Sequence, residues 1–197
     1  MKNNKFTPLQ YFDINSQKRA QIKNQEPKCV WLTGLSGSGK STLANALDKE
    51  FTQMGMHTYI LDGDNIRNGL CSDLEFDDKD RHENIRRVAE VSRLMFDAGL
   101  IVICAFISPF QRDRNFARSL FAEGTFIEVF VDTPMDVIIK RDPKGHYQNA
   151  QKGLIENFTG IDSSYERPED PELIIDTEKL SVNESIDQIK KYLGVLK

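Results

Sequence analysis

Gly34-Leu35-Ser36-Gly37-Ser38-Gly39-Lys40-Ser41-Thr42 sets glycines, a lysine and hydroxyls at the intervals needed to hold the phosphates of a nucleoside triphosphate. Glycines at 34, 37 and 39 admit backbone angles that side chains forbid, so successive N–H groups can converge on phosphate oxygens. A helix opening at this loop aims the positive end of its dipole at the same charges. Lys40 is expected to reach the β- and γ-phosphates of ATP, and Ser41 to offer its hydroxyl to the magnesium ion that bridges them. A second set, Asp62, Arg67, Arg81 and Ser108, supplies a carboxylate, two guanidiniums and a hydroxyl of the kind a phosphoryl acceptor requires.

These side chains need a frame. Cys29-Val30-Trp31-Leu32-Thr33 is an apolar run of β-formers just before the glycine loop, and Leu43, Ala44, Ala46 and Leu47 recur at helical spacing after it. A second strand, Thr58-Tyr59-Ile60-Leu61, ends abruptly in Asp62-Gly63-Asp64-Asn65. In open α/β sheets ligands bind at the carboxyl ends of strands, so these carboxylates are expected to face the loop. From Asp78 to Asp97, Ile85, Val88, Ala89, Ser92, Met95 and Phe96 keep one helical face, and Gly99 stops the helix. Residues 100–107 are apolar throughout, which predicts a central parallel strand ending at Ser108-Pro109. An arginine-rich helix over 111–121, strands over 126–131 and 173–176, and a closing helix with Val182, Ile186, Ile189, Tyr192 and Leu193 on its buried face complete the series. The alternation predicts an α/β fold of P-loop NTPase type, a doubly wound parallel sheet flanked by helices. The pattern fails between 141 and 171, with short helical turns plausible only at 146–151, and this stretch reads as a mobile lid. Residues 1–28 read as a polar N-terminal arm with weak helical spacing at Tyr11, Ile14, Ala20 and Ile22, ahead of a single domain over 29–197.

At 197 residues, 39% hydrophobic and 28% charged, with a formal charge of -4, the chain has an ordinary globular composition. Nothing electrostatic points to nucleic acid or to a membrane surface, and any phosphate affinity must be local. Cys29, Cys71 and Cys104 are too few and scattered for a disulfide framework or a zinc site. Cys29 and Cys104 fall in buried strands and Cys71 in a polar loop; all three read as reduced, small apolar side chains, with a reactive thiol at Cys71 as the alternative. No secretory signal or apolar span is visible, so the cytoplasm is the expected compartment.

A phosphate loop alone leaves GTPases, ATPases and small-molecule kinases open. A guanine-reading Asn-Lys-x-Asp string is absent, and the size and late lid favour a small-molecule kinase. The string Asp62-Gly63-Asp64-Asn65-Ile66-Arg67, then Phe76, Asp80-Arg81 and Glu83-Asn84-Ile85-Arg86-Arg87, resembles adenylyl-sulfate kinases, which phosphorylate the 3′-hydroxyl of adenosine 5′-phosphosulfate. Ala105-Phe106-Ile107-Ser108-Pro109 agrees, as do Val131-Asp132-Thr133-Pro134 with Arg141-Asp142-Pro143-Lys144-Gly145, and Asn157-Phe158-Thr159-Gly160-Ile161-Asp162. The resemblance runs from about Trp31 to Asp176.

Carried over residue by residue, the resemblance implies Asp62 as general base or orienter of the 3′-hydroxyl, with loop capping as its plain structural alternative. Asp64 and Asn65 would share in holding the substrate or the magnesium waters, Arg67 and Arg81 would clamp the phosphosulfate, and Asn84 would complete that site. Phe76 and Phe158 would sandwich the adenine. The Ile107 backbone, Ser108, Thr159 and, from the lid, Lys144 would contact the substrate. Ser108 is read in this family either as a transient nucleophile or as a binding group. No histidine or other base stands beside it in the sequence, which favours direct in-line transfer. The resemblance also implies a homodimer and leaves association with a sulfurylase open. Two departures stand out: the lid reads His146-Tyr147-Gln148-Asn149-Ala150-Gln151-Lys152, less basic than the family pattern, and Glu75 precedes Phe76 where glycine is common. His82 is expected to be exposed. The alternatives are a P-loop kinase for another nucleoside or small alcohol, and a catalytically silent nucleotide-binding regulator.

Overall fold

The computed structural model describes residues 10, 12–142, 145–155 and 157–195. Five parallel strands, β1 (Lys28–Thr33), β2 (Thr58–Asp62), β3 (Ile101–Ala105), β4 (Phe126–Asp132) and β5 (Leu173–Asp176), form one sheet in the order β2-β3-β1-β4-β5. Eight helices accompany them among the described residues: α1 (Ser16–Lys23), α2 (Lys40–Gln53), α3 (Gly63–Arg67), α4 (Asp78–Asp97), α5 (Gln111–Ser119), α6 (Met135–Arg141), α7 (His146–Gln151) and α8 (Val182–Tyr192). Strand side chains alternate between faces, so each strand feeds two cores. Val30, Leu32, Ile103 and Val129 meet Leu43, Leu47 and Phe51 of α2 and Ile186 and Ile189 of α8. Trp31, Val102 and Cys104 meet Ile85, Val88 and Ala89 of α4 and Ala117 of α5. This is the doubly wound α/β sheet expected from the alternation. No helix of the described residues is long and apolar enough to cross a membrane.

β1 occupies the centre and β3 lies between it and β2, as an interior strand buried at every position should. β3 ends at Ala105 rather than Ile107, because Ser108 turns the chain at φ +40° ahead of Pro109. Two short helices carry no periodic signal in the sequence. α3 is five residues long and is nucleated by Asp62, whose side chain accepts the Asp64 N–H; α6 buries only Ile138.

One expectation is corrected, the exposure of His82, and two others gain detail. Ile14 and Ile22 of the arm are exposed, and Tyr11 lies outside the described residues. The arm docks through polar contacts instead: Arg19 Nη1 lies 2.7 Å from Asp97 Oδ2, and Gln25 Nε2 donates to Gly99 O and His57 O at 2.8 and 2.9 Å. Gly99 (φ +84°) is required there, since a Cβ would fall 3.1 Å from the Arg19 and Ala20 backbone. Cys71 is fully buried, and burial pushes its thiol up, in keeping with the apolar reading and against the reactive alternative. His82 is half-buried rather than exposed, with Nδ1 2.6 Å from Asp113 Oδ2 and its ring against Phe110.

Candidate active site

The glycine loop joins β1 to α2, as the apolar-to-helical switch in the sequence requires. Gly34 has φ +149°, and a Cβ there would stand 2.5 Å from the carbonyl oxygen of Val131 on β4, so the loop is keyed to the sheet by the lack of a side chain. Gly39, at φ +104°, caps α2. Lys40 is 8% exposed and curls over the loop, its Nζ donating to Gly34 O and Leu35 O at 2.9 and 2.7 Å. Ser41 Oγ donates to Asp62 Oδ2 at 2.6 Å, while Asp62 Oδ1 accepts the Asp64 N–H at 3.1 Å. The two roles weighed for Asp62 therefore use different oxygens: one caps α3 and the other faces the phosphate loop.

A cavity of about 220 Å³ opens at the carboxyl ends of β1, β2 and β3. Its donor side is Ser36, Gly37, Lys40 and Ser41; its far side includes Asp62, Asp64, Arg67, Phe76, Arg81, Asn84, Ile107, Ser108, Phe158 and Thr159. A smaller adjoining cavity of about 160 Å³ takes in Gly39 and Thr42 along with Asp142, His146 and Tyr147. Gly34, Leu35 and Ser38 build the loop without bordering either space, Asn65 sits exposed on α3 away from both, and Lys144 lies outside the described residues.

Both arginines border the cavity while bonding to its frame. Arg67 Nη1 donates to Glu75 O at 2.9 Å, and its guanidinium lies 4.2 Å over the Phe76 ring. Arg81, 7% exposed, donates from Nε to Phe76 O and from Nη1 to Thr159 Oγ1, both at 2.8 Å, and from Nη2 to Asn157 O. A guanidinium has five N–H donors, so each keeps some for a ligand. Burial lowers both pKa values from the usual arginine value. Asn84 is 4% exposed, and its Nδ2 has no hydrogen-bond partner among the described residues. Such a donor is costly unless something enters the cavity to accept from it. Phe76 is 55% exposed, whereas Phe158 is held edge-to-face by Tyr147 at 4.9 Å and 88°.

Ser108 is buried, and its single proton is committed. Oγ accepts from Trp31 Nε1 at 3.1 Å and donates to Thr33 Oγ1 at 2.9 Å; Thr33 in turn donates to Ile107 O at 2.7 Å. Tyr165 lies 3.0 Å from the same Thr33 oxygen, and Arg114 Nη1 donates to Ser108 O at 2.8 Å. Burial pushes the phenols of Tyr147 and Tyr165 up to about 12. Among the described residues no base contacts Ser108, which is arranged to hold a strained turn.

Sequence reasoning missed Thr33, Tyr147, Tyr165 and Arg114. One signal was available for the last: Glu128 inside the apolar run Phe126-Ile127-Glu128-Val129 demands a buried cation, and Arg114 Nε lies 2.8 Å from Glu128 Oε1.

A family model described as adenylylsulphate kinase matches residues 26–176. Over 180 residues the chain is 56% identical to an adenylyl-sulfate kinase of Marinobacter nauticus, covering 91% of this chain and 90% of that protein. Over 185 residues it is 56% identical to the bifunctional enzyme NodQ of a Rhizobium species, covering 94% of this chain but only 29% of that longer protein. The solved structure of the Mycobacterium tuberculosis APS kinase CysC in complex with AMPPNP and APS superposes with a TM-score of 0.83 at 43% identity, covering 86% of this chain and 98% of that one. With the family model spanning the phosphate loop, the acceptor wall and the last strand, the chain belongs to the adenylylsulphate kinase family.

Proposed function

We propose that this chain transfers the γ-phosphoryl group of ATP to the 3′-hydroxyl of adenosine 5′-phosphosulfate, giving ADP and 3′-phosphoadenosine 5′-phosphosulfate. One observation carries the reading: a single cavity has the phosphate-loop residues Lys40 and Ser41 on one wall and Asp62, Arg67, Arg81, Asn84, Phe76 and Phe158 on the other. Donor phosphate and acceptor alcohol can thus be held together, which is most of what phosphoryl transfer asks of a protein. Asp62 accepts or orients the 3′-hydroxyl proton, and the attack runs in line. Arg67, Arg81 and Asn84 bind the phosphosulfate. Phe76 and Phe158 bracket the adenine, which favours a nucleotide over a sugar acid as acceptor. Asp64, the Ile107 backbone, Ser108 and Thr159 shape the rest of the pocket, and Lys144 with the 141–171 segment closes over it and excludes water.

The hard oxygen donors at the cavity mouth, the Ser41 hydroxyl 2.6 Å from the Asp62 carboxylate, suit magnesium, which prefers oxygen ligands and substrate phosphates to an all-protein cage. When bound with ATP it neutralises charge on the β- and γ-phosphates. The same reading places the enzyme in the cytoplasm as a homodimer able to associate with a sulfurylase; light scattering on the purified protein checks the dimer.

A coupled ADP-release assay with MgATP tests the reaction, comparing adenosine 5′-phosphosulfate with AMP, adenosine and no acceptor, each repeated with Lys40→Ala. Turnover confined to the phosphosulfate and lost in the variant is expected. Turnover on another alcohol would overturn the acceptor assignment, and tight ATP binding without turnover on any acceptor would favour a regulatory protein.

A further inference from the structure

The phosphate loop and the acceptor's aromatic wall come from segments over a hundred residues apart, and one side chain touches both. Tyr147, the second residue of α7, is 1% exposed. Its hydroxyl donates to Ser36 O at 2.9 Å, and its ring stands edge-to-face with Phe158 at 4.9 Å. α7 is itself pinned at its start, where Gln148 N donates to Asp142 Oδ2 at 3.1 Å.

The Ser36 carbonyl shares a rigid peptide plane with the Gly37 N–H and points the opposite way from it. A bond that fixes the carbonyl therefore fixes where that N–H aims, and Gly37 lines both cavities. Gly37, at φ +75°, has the backbone freedom to swing that plane if nothing holds it; a Cβ there would lie 3.2 Å from Ile138 Cγ2 and in ordinary contact, at 3.9 Å, with Tyr147 Cε2. On the other side, Phe158 is kept upright by the Tyr147 edge and more loosely by His146 at 6.1 Å.

We propose that Tyr147 is a positioning residue that couples the two substrates: its hydroxyl sets the phosphate-loop peptide that meets the nucleotide, and its ring sets the aromatic that meets the acceptor. Occupancy of the loop steadies the Ser36–Gly37 plane, that plane steadies Tyr147, and Tyr147 steadies Phe158. Binding of either substrate then favours binding of the other, as linkage requires. The proposal rests on the kinase reading above for the identity of the acceptor, but not for the tether itself.

The test uses Tyr147→Phe, which keeps the ring and removes the hydroxyl, and Tyr147→Leu, which removes the edge contact as well. Affinity for adenosine 5′-phosphosulfate is measured by calorimetry with and without AMPPNP, alongside kcat and both KM values. In Tyr147→Phe the acceptor KM is expected to rise on the order of 3- to 10-fold, the range of one lost hydrogen bond. The factor by which AMPPNP tightens acceptor binding is expected to fall toward one. In Tyr147→Leu both effects deepen. A purely structural role would lower the melting midpoint and leave that factor unchanged, and this result would overturn the proposal. Backbone hydrogen exchange over 157–160, with and without AMPPNP, needs no acceptor. Nucleotide should slow exchange there in the wild type and not in Tyr147→Phe, and equal protection in both would sink the tether. Absence of wild-type turnover on the phosphosulfate would count against the kinase reading alone.

Discussion

Asn84 faces the cavity with a buried Nδ2 that no described residue satisfies, so its removal should cost the fold little and the ligand much. Asn84→Ala is expected to shift the melting midpoint by no more than a few degrees while raising the acceptor KM about tenfold, the loss typical of a hydrogen bond to a charged group. A large fall in midpoint with an unchanged KM would make Asn84 a packing residue. Asp62→Asn keeps the shape of the group and removes its basicity, so kcat should fall by roughly 10²- to 10⁴-fold with nucleotide affinity nearly intact, as measured by single-turnover kinetics and calorimetry. These residue types were legible in the sequence because their chemistry is written in short strings after strands. Their partners were not: that Arg81 braces Thr159, or that Ser108 donates to Thr33, depends on contacts 75 or more residues apart that no local spacing encodes.

Among the elements, β4 carries the least expected feature, the ion pair between Glu128, 2% exposed, and Arg114, 0% exposed on α5. Arg118 and Glu172 extend it to the chain just before β5. Breaking one partner of such a pair strands the other charge away from water, so Glu128→Leu should cost about 3–5 kcal/mol in chemical denaturation. Replacing Arg114 and Glu128 together by Met and Leu should recover much of that loss, and failure to recover it would mean the bonds from Arg114 to Ser108 O and Glu166 O dominate. α4 over Asp78–Asp97, with its clear period, and β5 over Leu173–Asp176, as a short run of β-formers, were legible to the residue. α3 and α6 were invisible because five and seven residues span at most two turns, too few for a periodic stripe to declare itself.

For the molecule as a whole, titration divides into an acid and an alkaline limb. Bonds from Arg86 and Arg87 hold the Glu83 carboxyl down at about 2, and a bond from Arg87 lowers Asp73 as well. A folded pKa below the unfolded one gives stability that is present above about pH 4.5 and is lost as pH falls toward 2. Glu83→Gln should flatten that limb by no more than about 1 kcal/mol, since the pair is partly exposed. Tyr147 and Tyr165 shift the other way, so their contribution is complete below about pH 10 and is lost as pH rises through 12. Phenolate absorbance should show a late-ionising component from Tyr147 and Tyr165, and its absence would deny their burial. The arm settles against Gly99 and His57, just ahead of β3 and β2, and residues 193–195 border the same hollow as Gln17 and Gln25. Helix α1 and residues 193–195 therefore gather at the rim where strands begin, while the phosphate-loop cavity opens where strands finish. A partner seated on that rim would hold the protein from behind, with its mouth facing open solution.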